Sequence, residues 1–468
     1  MTFEESPKTS FTVSSKILFS LLGPLLALLL YTTLGIWDIP TVIRMTAAIS
    51  MWTAIWWIFE PIPIPITSLI PLALLPFFGI LSPSQVGTAY GSPLVLLLMG
   101  GFILSTAMAK SGAHRRIALT MVNAFGSQSS KRLVFGFMAA SAFLSMWISN
   151  TATTLMLLPV ALAVLEKSHD KAMAVPLLLG IAYAASIGGI GTPIGTPPNL
   201  VFREVYEINM GSEIGFLTWM SWGIPVVLLM LPLTAIWITR NLHYKGNFDL
   251  PEVGNWTSSE KRVLLIFSLT ALAWITRSQP FGGWSDWFGV SSANDASVAM
   301  LAVVCMFLVP DGKGARLLDW ETANKIPWGM LILFGGGIAI ATAFVESGLS
   351  GMLGEWLSAI ASMNIILVVC LICFTITFMT EMTSNTATTT LMLPILAAAA
   401  LGANLDPTLL MVPAAMSASC AFMLPVATAP NTIMFSTGYF TTRTMAKEGF
   451  ILNLIGVAVI SFCCLWLR

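Results

Sequence analysis

The sequence predicts an all-α polytopic membrane protein of about 11 transmembrane helices and two re-entrant hairpins, arranged as two inverted-topology repeats. Composition, an internal duplication and the placement of basic residues predict it. Of 468 residues, 56% are hydrophobic and 9% charged, and mean hydropathy is +0.84, whereas globular domains carry about 25% charged residues. The string Ser149-Asn150-Thr151-Ala152-Thr153-Thr154 recurs 235 residues later as Ser384-Asn385-Thr386-Ala387-Thr388-Thr389, each copy reaching a proline at Pro159 or Pro394. A second pattern follows in each half, Pro193, Thr196, Pro198, Asn199 and then Pro425, Thr428, Pro430, Asn431, while Gly100 and Gly101 match Gly335 and Gly336. Internal duplication in a membrane protein is the sequence mark of a secondary transporter.

Crossing a hydrocarbon layer of about 30 Å takes about 20 apolar residues as helix. Spans of that kind are expected near 17–36, 42–59, 64–81, 93–110, 173–202, 217–239, 262–278, 296–310, 328–345, 408–435 and 450–467. The apolar stretches 133–160 and 362–398 hold the repeated motif and are interrupted by polar residues at their middles, so each reads as a re-entrant hairpin. The Gly/Pro-rich runs Gly188–Asn199 and Cys420–Asn431 cannot continue a helix, because proline removes a donor and clashes with the preceding turn. They divide 173–202 and 408–435 into broken helices. The chain is thus expected to hold an N-terminal segment 1–16, scaffold helices 17–92 and a first repeat core 93–239. A linker 240–261, second scaffold helices 262–345 and a second repeat core 346–468 follow.

Lys and Arg collect in cytoplasmic loops. Alternating eleven spans from a cytoplasmic N-terminus leaves only Arg44, Arg203, Arg277 and Arg468 of the 22 basic residues outside, and the C-terminus outside as well. The cluster Lys110, Arg115, Arg116, Lys131, Arg132 then marks the loop before the first hairpin as cytoplasmic, a topological signal rather than a ligand site. The first apolar stretch is too long for a signal peptide and lacks a small-x-small cleavage site, so it is kept as a span. Cysteines 305, 370, 373, 420, 463 and 464 show neither metal-site nor disulfide-framework spacing. Zero net charge and short loops leave no nucleic-acid surface and no appended soluble domain.

Ser, Asn and Thr in series at membrane depth are costly to bury unpaired. Two helical arms meeting at such a tip expose free N–H groups on one side, which favour anions, and carbonyl and hydroxyl oxygens on the other, which suit a hard cation such as Na⁺. Asn serves both tasks, since its amide has two donors and an acceptor. Unwound backbone at midplane is tolerated only where it is buried or lines a site, so the breaks should face the tips. One tip and one break per repeat gives one cation site per repeat, with a substrate between them. Neither motif nor break contains Lys, Arg or His, and His114, His169 and His243 fall in predicted cytoplasmic loops. An anionic substrate would therefore rely on helix dipoles, polar side chains and co-bound cations, which makes its binding ion-dependent.

These paired Ser-Asn-Thr motifs and broken helices, with the run Glu60-Pro61-Ile62-Pro63-Ile64-Pro65-Ile66-Thr67, resemble the divalent anion/sodium symporter family over essentially the whole chain after the first dozen residues. The resemblance implies a homodimer in the plasma (inner) membrane, with a fixed scaffold and a transport domain that moves like an elevator. It also implies Na⁺ as the coupling ion and C4-dicarboxylates (succinate, fumarate, malate) as substrates. It assigns one sodium site to Ser145, Ser149 and Asn150 with backbone around Gly195, and a second to Thr380, Ser384 and Asn385 with backbone near Ala427. Substrate carboxylates fall to Ser149, Asn150, Thr151, Ser384, Asn385 and Thr386, with Thr196 and Thr428 close by. The halves differ where Pro197 faces Ala429 and Ser145 faces Thr380. Carrying a dianion inward against 100 mV costs about 4.6 kcal/mol; two Na⁺ cancel it and a third makes transport favourable, although only two sites are legible.

Glu381, three residues before Ser384, is open to two readings, a proton relay or a brace for the tip. A sodium-independent dicarboxylate or citrate/succinate exchanger is the competing transporter. A channel is a further alternative because polar-tipped hairpins also form filters. An enzyme lacks support, with no metal-ligand pair and no nucleophile near a histidine.

Overall fold

The computed structural model describes residues 13–126, 128–168, 170–246, 248, 250, 253–279, 282–290, 292–357 and 363–466. His169, Arg468, the first twelve residues, the hairpin start at 362 and the span end at 467 lie outside the described residues. Within them the chain is helical, and strand-like pairing is limited to two isolated bridges, Ser129 with Lys245 and Pro310 with Arg316. That is what a bilayer demands, since a helix satisfies its own backbone groups.

The first half runs α1 (Val13–Ile36), α2 (Thr41–Phe59), α3 (Ile64–Thr67), α4 (Leu69–Phe77), α5 (Pro83–Tyr90), α6 (Pro93–Ser111) and α7 (Ala113–Phe125). It continues through α8 (Ser130–Ser145), α9 (Asn150–Lys167), α10 (Ala174–Gly189), α11 (Pro197–Met210) and α12 (Phe216–Ile238). The second half runs α13 (Ser258–Ile275), α14 (Gly283–Trp287), α15 (Asp295–Leu308), α16 (Trp320–Ala323), α17 (Trp328–Glu346) and α18 (Leu349–Leu357). It ends with α19 (Ile365–Met379), α20 (Asn385–Gly402), α21 (Thr408–Ser417), α22 (Ala429–Phe435) and α23 (Thr442–Trp466). Local chemistry sets many of these boundaries. Ser82 with Gln85 and Thr257 with Glu260 form capping boxes at the starts of α5 and α13. Pro93 and Pro197 occupy first turns, where a missing N–H costs nothing.

Among the described residues, eight helices are long and apolar enough to cross a membrane, against eleven expected spans. Seven correspond to expected spans. The expected spans 64–81, 296–310 and 408–435 instead hold shorter apolar helices, Ile64–Phe77, Asp295–Leu308 and Thr408–Ser417. α4 stops at Phe77, just before Gly79 takes a left-handed φ of 68°. The span expected at 262–278 is α13, which starts at Ser258 and carries Glu260, Lys261 and Arg262 near that end. The eighth long helix is α20, expected as a hairpin arm, which runs past 398 to Gly402 and by length and composition could cross. The first hairpin likewise extends beyond 133–160, to Ser130 and Lys167.

The arms of the two hairpins diverge from their tips instead of packing along each other. α8 lies on α7 and α10, α19 on α21 and α23, and α20 on α18 and α11. The halves interlock crosswise: α11 packs on α20, and α22 packs on α9. Each broken helix is also pressed by the long helix that follows it. A Cβ at Gly223 of α12 would sit 2.5 Å from the Ile190 carbonyl oxygen, and one at Gly449 of α23 would overlap the Phe422 carbonyl. α10 is buried from Leu177 to Gly189, and Tyr183 meets Phe422 edge-on at 5.2 Å, joining α10 to the second break through the core.

Ion pairs fasten helix ends. Arg203 of α11 bonds Asp295 at 2.9 Å, Arg277 bonds the same carboxylate at 2.7 Å, and Arg277 also pairs with Glu213. Arg203 and Arg277, both counted on the outer face, thus meet at one buried aspartate. Arg116 pairs with Glu260 at 2.9 Å, and Arg240 with Glu448 at 2.7 Å.

Candidate functional site: twin hairpin tips and broken helices

Each repeated motif opens a helix, because its serine is an N-cap. Ser149 Oγ accepts from the Ala152 N–H at 3.2 Å, and Ser384 Oγ accepts from Ala387 at the same 3.2 Å. The asparagine then stands at the first helical position with its side chain turned back across the tip. Ser145 Oγ donates to Asn150 Oδ1 at 2.5 Å, and Thr380 Oγ1 lies 2.8 Å from Asn385 Oδ1 and 3.0 Å from the Ala418 carbonyl. The pairing of Ser145 with Thr380 expected from the sequence is therefore a pairing of the same hydrogen bond. Thr151 and Thr386 occupy the first turns of α9 and α20, where N–H groups have no intrahelical partner.

The breaks are shaped by two asparagines that the sequence reading noted as pattern without giving them a role. Asn199 Nδ2 donates to the carbonyls of Gly189 (2.9 Å) and Thr192 (2.7 Å), and Asn431 Nδ2 donates to those of Ala421 and Leu424, both at 3.0 Å. Each clasp joins carbonyls ten and seven residues back, so one side chain ties both ends of an unwound loop. Both asparagines are fully buried, and the Oδ1 of each lacks a hydrogen-bond partner among the described residues. The loops also turn alike: Gly195 N–H donates to Thr192, and Ala427 N–H to Leu424.

In the first half these pieces converge. A Cβ added at Gly189 would lie 2.8 Å from Asn150 Oδ1, 3.1 Å from the Gly195 carbonyl and 3.2 Å from Thr196 Cβ. Ser145, Asn150, Gly195 and Thr196 therefore surround one point against bare backbone. In the second half Thr380, Asn385 and Ala418 are brought together by hydrogen bonds. Thr428 is spent as the N-cap of α22, bonding the Asn431 N–H at 3.3 Å, whereas Thr196 makes no side-chain cap bond. The side chains of Thr196 and Thr428 therefore differ in their bonding. The donor set is all oxygen, which suits a hard cation. Among the described residues no group of three His, Cys, Asp or Glu could hold a metal.

Glu381 has a defined position. Its carboxylate accepts from three successive N–H groups of the second break, Phe422 at 2.7 Å, Met423 at 2.9 Å and Leu424 at 3.0 Å, and from Asn453 Nδ2 at 2.8 Å. All four partners are donors, so the geometry is that of a brace. The equivalent first-half tie runs from Thr192 Oγ1 to the Met146 carbonyl. A crevice of about 10 Å³ lined by Gly101, Phe102, Ser149 and Ile194 separates α6 from the first tip. That is the scale of one water-sized particle.

A family profile described as citrate transporter matches residues 54–412. The sodium-dependent dicarboxylate transporter SdcS of Staphylococcus aureus strain NCTC 8325 / PS 47 is 41% identical over 483 residues, spanning 98% of this chain and 92% of that protein. SdcS of strain USA300 gives the same identity and coverage. Among solved structures, the crystal structure of the YdaH transporter from Alcanivorax borkumensis superposes with a TM-score of 0.57 at 15% identity. It covers 82% of this chain and 87% of that one.

Proposed function

The chain belongs to the citrate transporter family, of the divalent anion/sodium symporter kind that its twin motifs resemble, and on that premise we propose that it is a sodium-coupled symporter of C4-dicarboxylates. The observation that carries the reading is the doubled hydroxyl–asparagine pair, Ser145 with Asn150 and Thr380 with Asn385, each facing a clasped break. Sodium, as cargo, is held by Ser145, Ser149, Asn150 and the Gly195 carbonyl in one half, and by Thr380, Ser384, Asn385 and backbone near Ala427 in the other. The asparagine Oδ1 atoms and loop carbonyls supply the oxygens, and the orphaned acceptors of Asn199 and Asn431 add negative potential beside them. The dicarboxylate sits between the tips, taken by Ser149, Asn150, Thr151, Ser384, Asn385 and Thr386, with Thr196 beside them and Thr428 acting through the start of α22. With sodium bound, the first-turn N–H groups of α9 and α20 and the two cations offset its charge.

The same reading makes the halves inverted repeats, counts eleven crossings by including the shorter helices, and places the N-terminus in the cytoplasm. α6 to α12 with α18 to α23 form the moving part of a homodimeric elevator in the plasma membrane, and α1 to α5 with α13 to α17 form the scaffold. The relatives named as sodium-dependent dicarboxylate transporters support the choice of ion and substrate class. Proteoliposome uptake of labelled succinate and citrate, with and without an inward Na⁺ gradient, tests it. Succinate uptake is expected only with the gradient; gradient-independent uptake driven by succinate loaded inside would replace symport with exchange.

A further inference from the structure

We infer that the cleft between the start of α8 and the end of α12 binds one anionic phospholipid, its phosphate at Lys131 and Arg132 and an acyl chain along α12. The cleft has a volume of about 390 Å³ and is walled by Phe125 and Phe135 on one side and by Pro232 and Ile236 on the other. The two rings meet edge-on at 5.1 Å and make that wall apolar. At its rim stand two adjacent exposed cations, Lys131 and Arg132, and neither is in an ion pair with a described residue. No carboxylate lines the cleft. The acidic side chain bonded to this turn, Asp170, is engaged at 2.5 Å by Ser130, which is buried. Lys245, backbone-paired to Ser129, adds a third exposed basic residue beside the same turn.

Two features select a lipid over a free anion. The charges sit at one end of an apolar slot, and the slot continues along α12 as a stripe at helical spacing, Leu229, Leu233 and Ile236, that is 42%, 43% and 68% exposed. A free phosphate uses only the rim, while a phospholipid uses rim and stripe together. The ends of α8 and α12 that form the cleft belong to the face expected to be cytoplasmic, where anionic headgroups set a negative surface potential and each basic residue near it gains about 1 kcal/mol. Basic pockets between membrane helices on that side are headgroup sites. The occupant requires the chain to lie in a bilayer and nothing about which solute it carries.

The test is lipid retention by the intact purified chain in native mass spectrometry, titrated with palmitoyl-oleoyl phosphatidylglycerol or phosphatidylcholine. Phosphatidylglycerol should be retained preferentially. The double variant Lys131→Gln/Arg132→Gln should weaken it about thirtyfold, as expected for two charges of about 1 kcal/mol each. Ile236→Asn should weaken it with the cations intact, and millimolar inorganic phosphate should fail to displace it. Equal retention of both lipids, an unaffected double variant, an unaffected Ile236→Asn, or displacement by phosphate would each overturn the assignment. Because binding is read without transport, failure here leaves the symport reading standing, and failure of symport leaves this one.

Discussion

The two halves fasten tip to break at the same pair of positions with the roles of side chain and backbone exchanged. In the first half the side chain belongs to the break, Thr192, and the acceptor is the tip carbonyl of Met146. In the second the side chain belongs to the tip, Glu381, and the donor is the break N–H of Leu424, joined by those of Phe422 and Met423. Met146 and Glu381 are related by the 235-residue offset of the motif, and Thr192 and Leu424 by the 232-residue offset of Asn199 and Asn431. The distance between tip and break is thus retained while its chemistry is free to change. What changes with it is charge, since among the described residues only the second half bonds an acidic side chain to its break. The first half instead closes its break with small residues and with Trp219, whose indole N–H donates to the Ile190 carbonyl at 2.9 Å.

The largest effect, and the one that would break the comparison outright, is expected for Asn150→Ala and Asn385→Ala. Either should abolish sodium-driven uptake while size-exclusion and thermal-melt profiles stay near those of the parent, because the side chain lost is half-buried and its partner is a single hydroxyl. Normal uptake by either variant would mean that its half is not a site. Next is Glu381→Gln. It removes the charge and, with the amide oxygen kept toward Phe422, Met423 and Asn453, turns an amide donor toward the Leu424 N–H, and hydrogen bonds to a charged group are worth about 1.5–3 kcal/mol each. We expect uptake reduced at least tenfold and a lower melting temperature, with a higher sodium concentration for half-maximal rate. Thr192→Val, which deletes one neutral bond worth about 1 kcal/mol, should cost far less. Equal losses from the two substitutions would show that the exchanged ties are energetically alike.

Asp295→Asn sharpens the contrast further, because the helix after the first break, α11, is held to Asp295 by charge through Arg203. Two buried guanidiniums would lose a shared carboxylate, and leaving a buried charge unpaired costs about 3–5 kcal/mol, read as a lower melting temperature. The smallest effect is expected from Lys110→Met. The Lys110 ammonium holds the exposed Asp319 carboxyl down at about 2. A carboxyl lowered in the folded state contributes above its unfolded value of about 3.9 and is lost as pH falls through about 2. Salt screens an exposed pair, so melting temperature between pH 5 and 8 should not move measurably.

Much of this was legible in the residues and some was not. The duplicated motif and the positions of both breaks could be read because proline, glycine and Ser-Asn-Thr strings have few other uses within apolar sequence. The Ser145–Asn150 and Thr380–Asn385 contacts follow from a five-residue spacing across a tight turn. The clasps of Asn199 and Asn431 were visible as repeated letters, but their partners lie ten and seven residues back along an unwound loop, where no helical period applies. Glu381 could not be assigned from sequence because its partners are backbone groups some forty residues on. Hydropathy alone did not show that stretches such as 408–435 hold a short helix, α21, followed by apolar loop, and it could not separate α20, an apolar helix with a polar first turn, from a hairpin arm.

The central claim is that oxygen-lined sites in the two tips must hold alkali cations before a dianion can rest between them. Calorimetric titration of succinate into the purified chain, first in choline chloride freed of sodium and lithium and then in sodium chloride, addresses it directly. Heat of binding should be seen in sodium alone, with affinity rising as the sodium concentration is raised. Succinate binding of equal strength in choline would contradict the account.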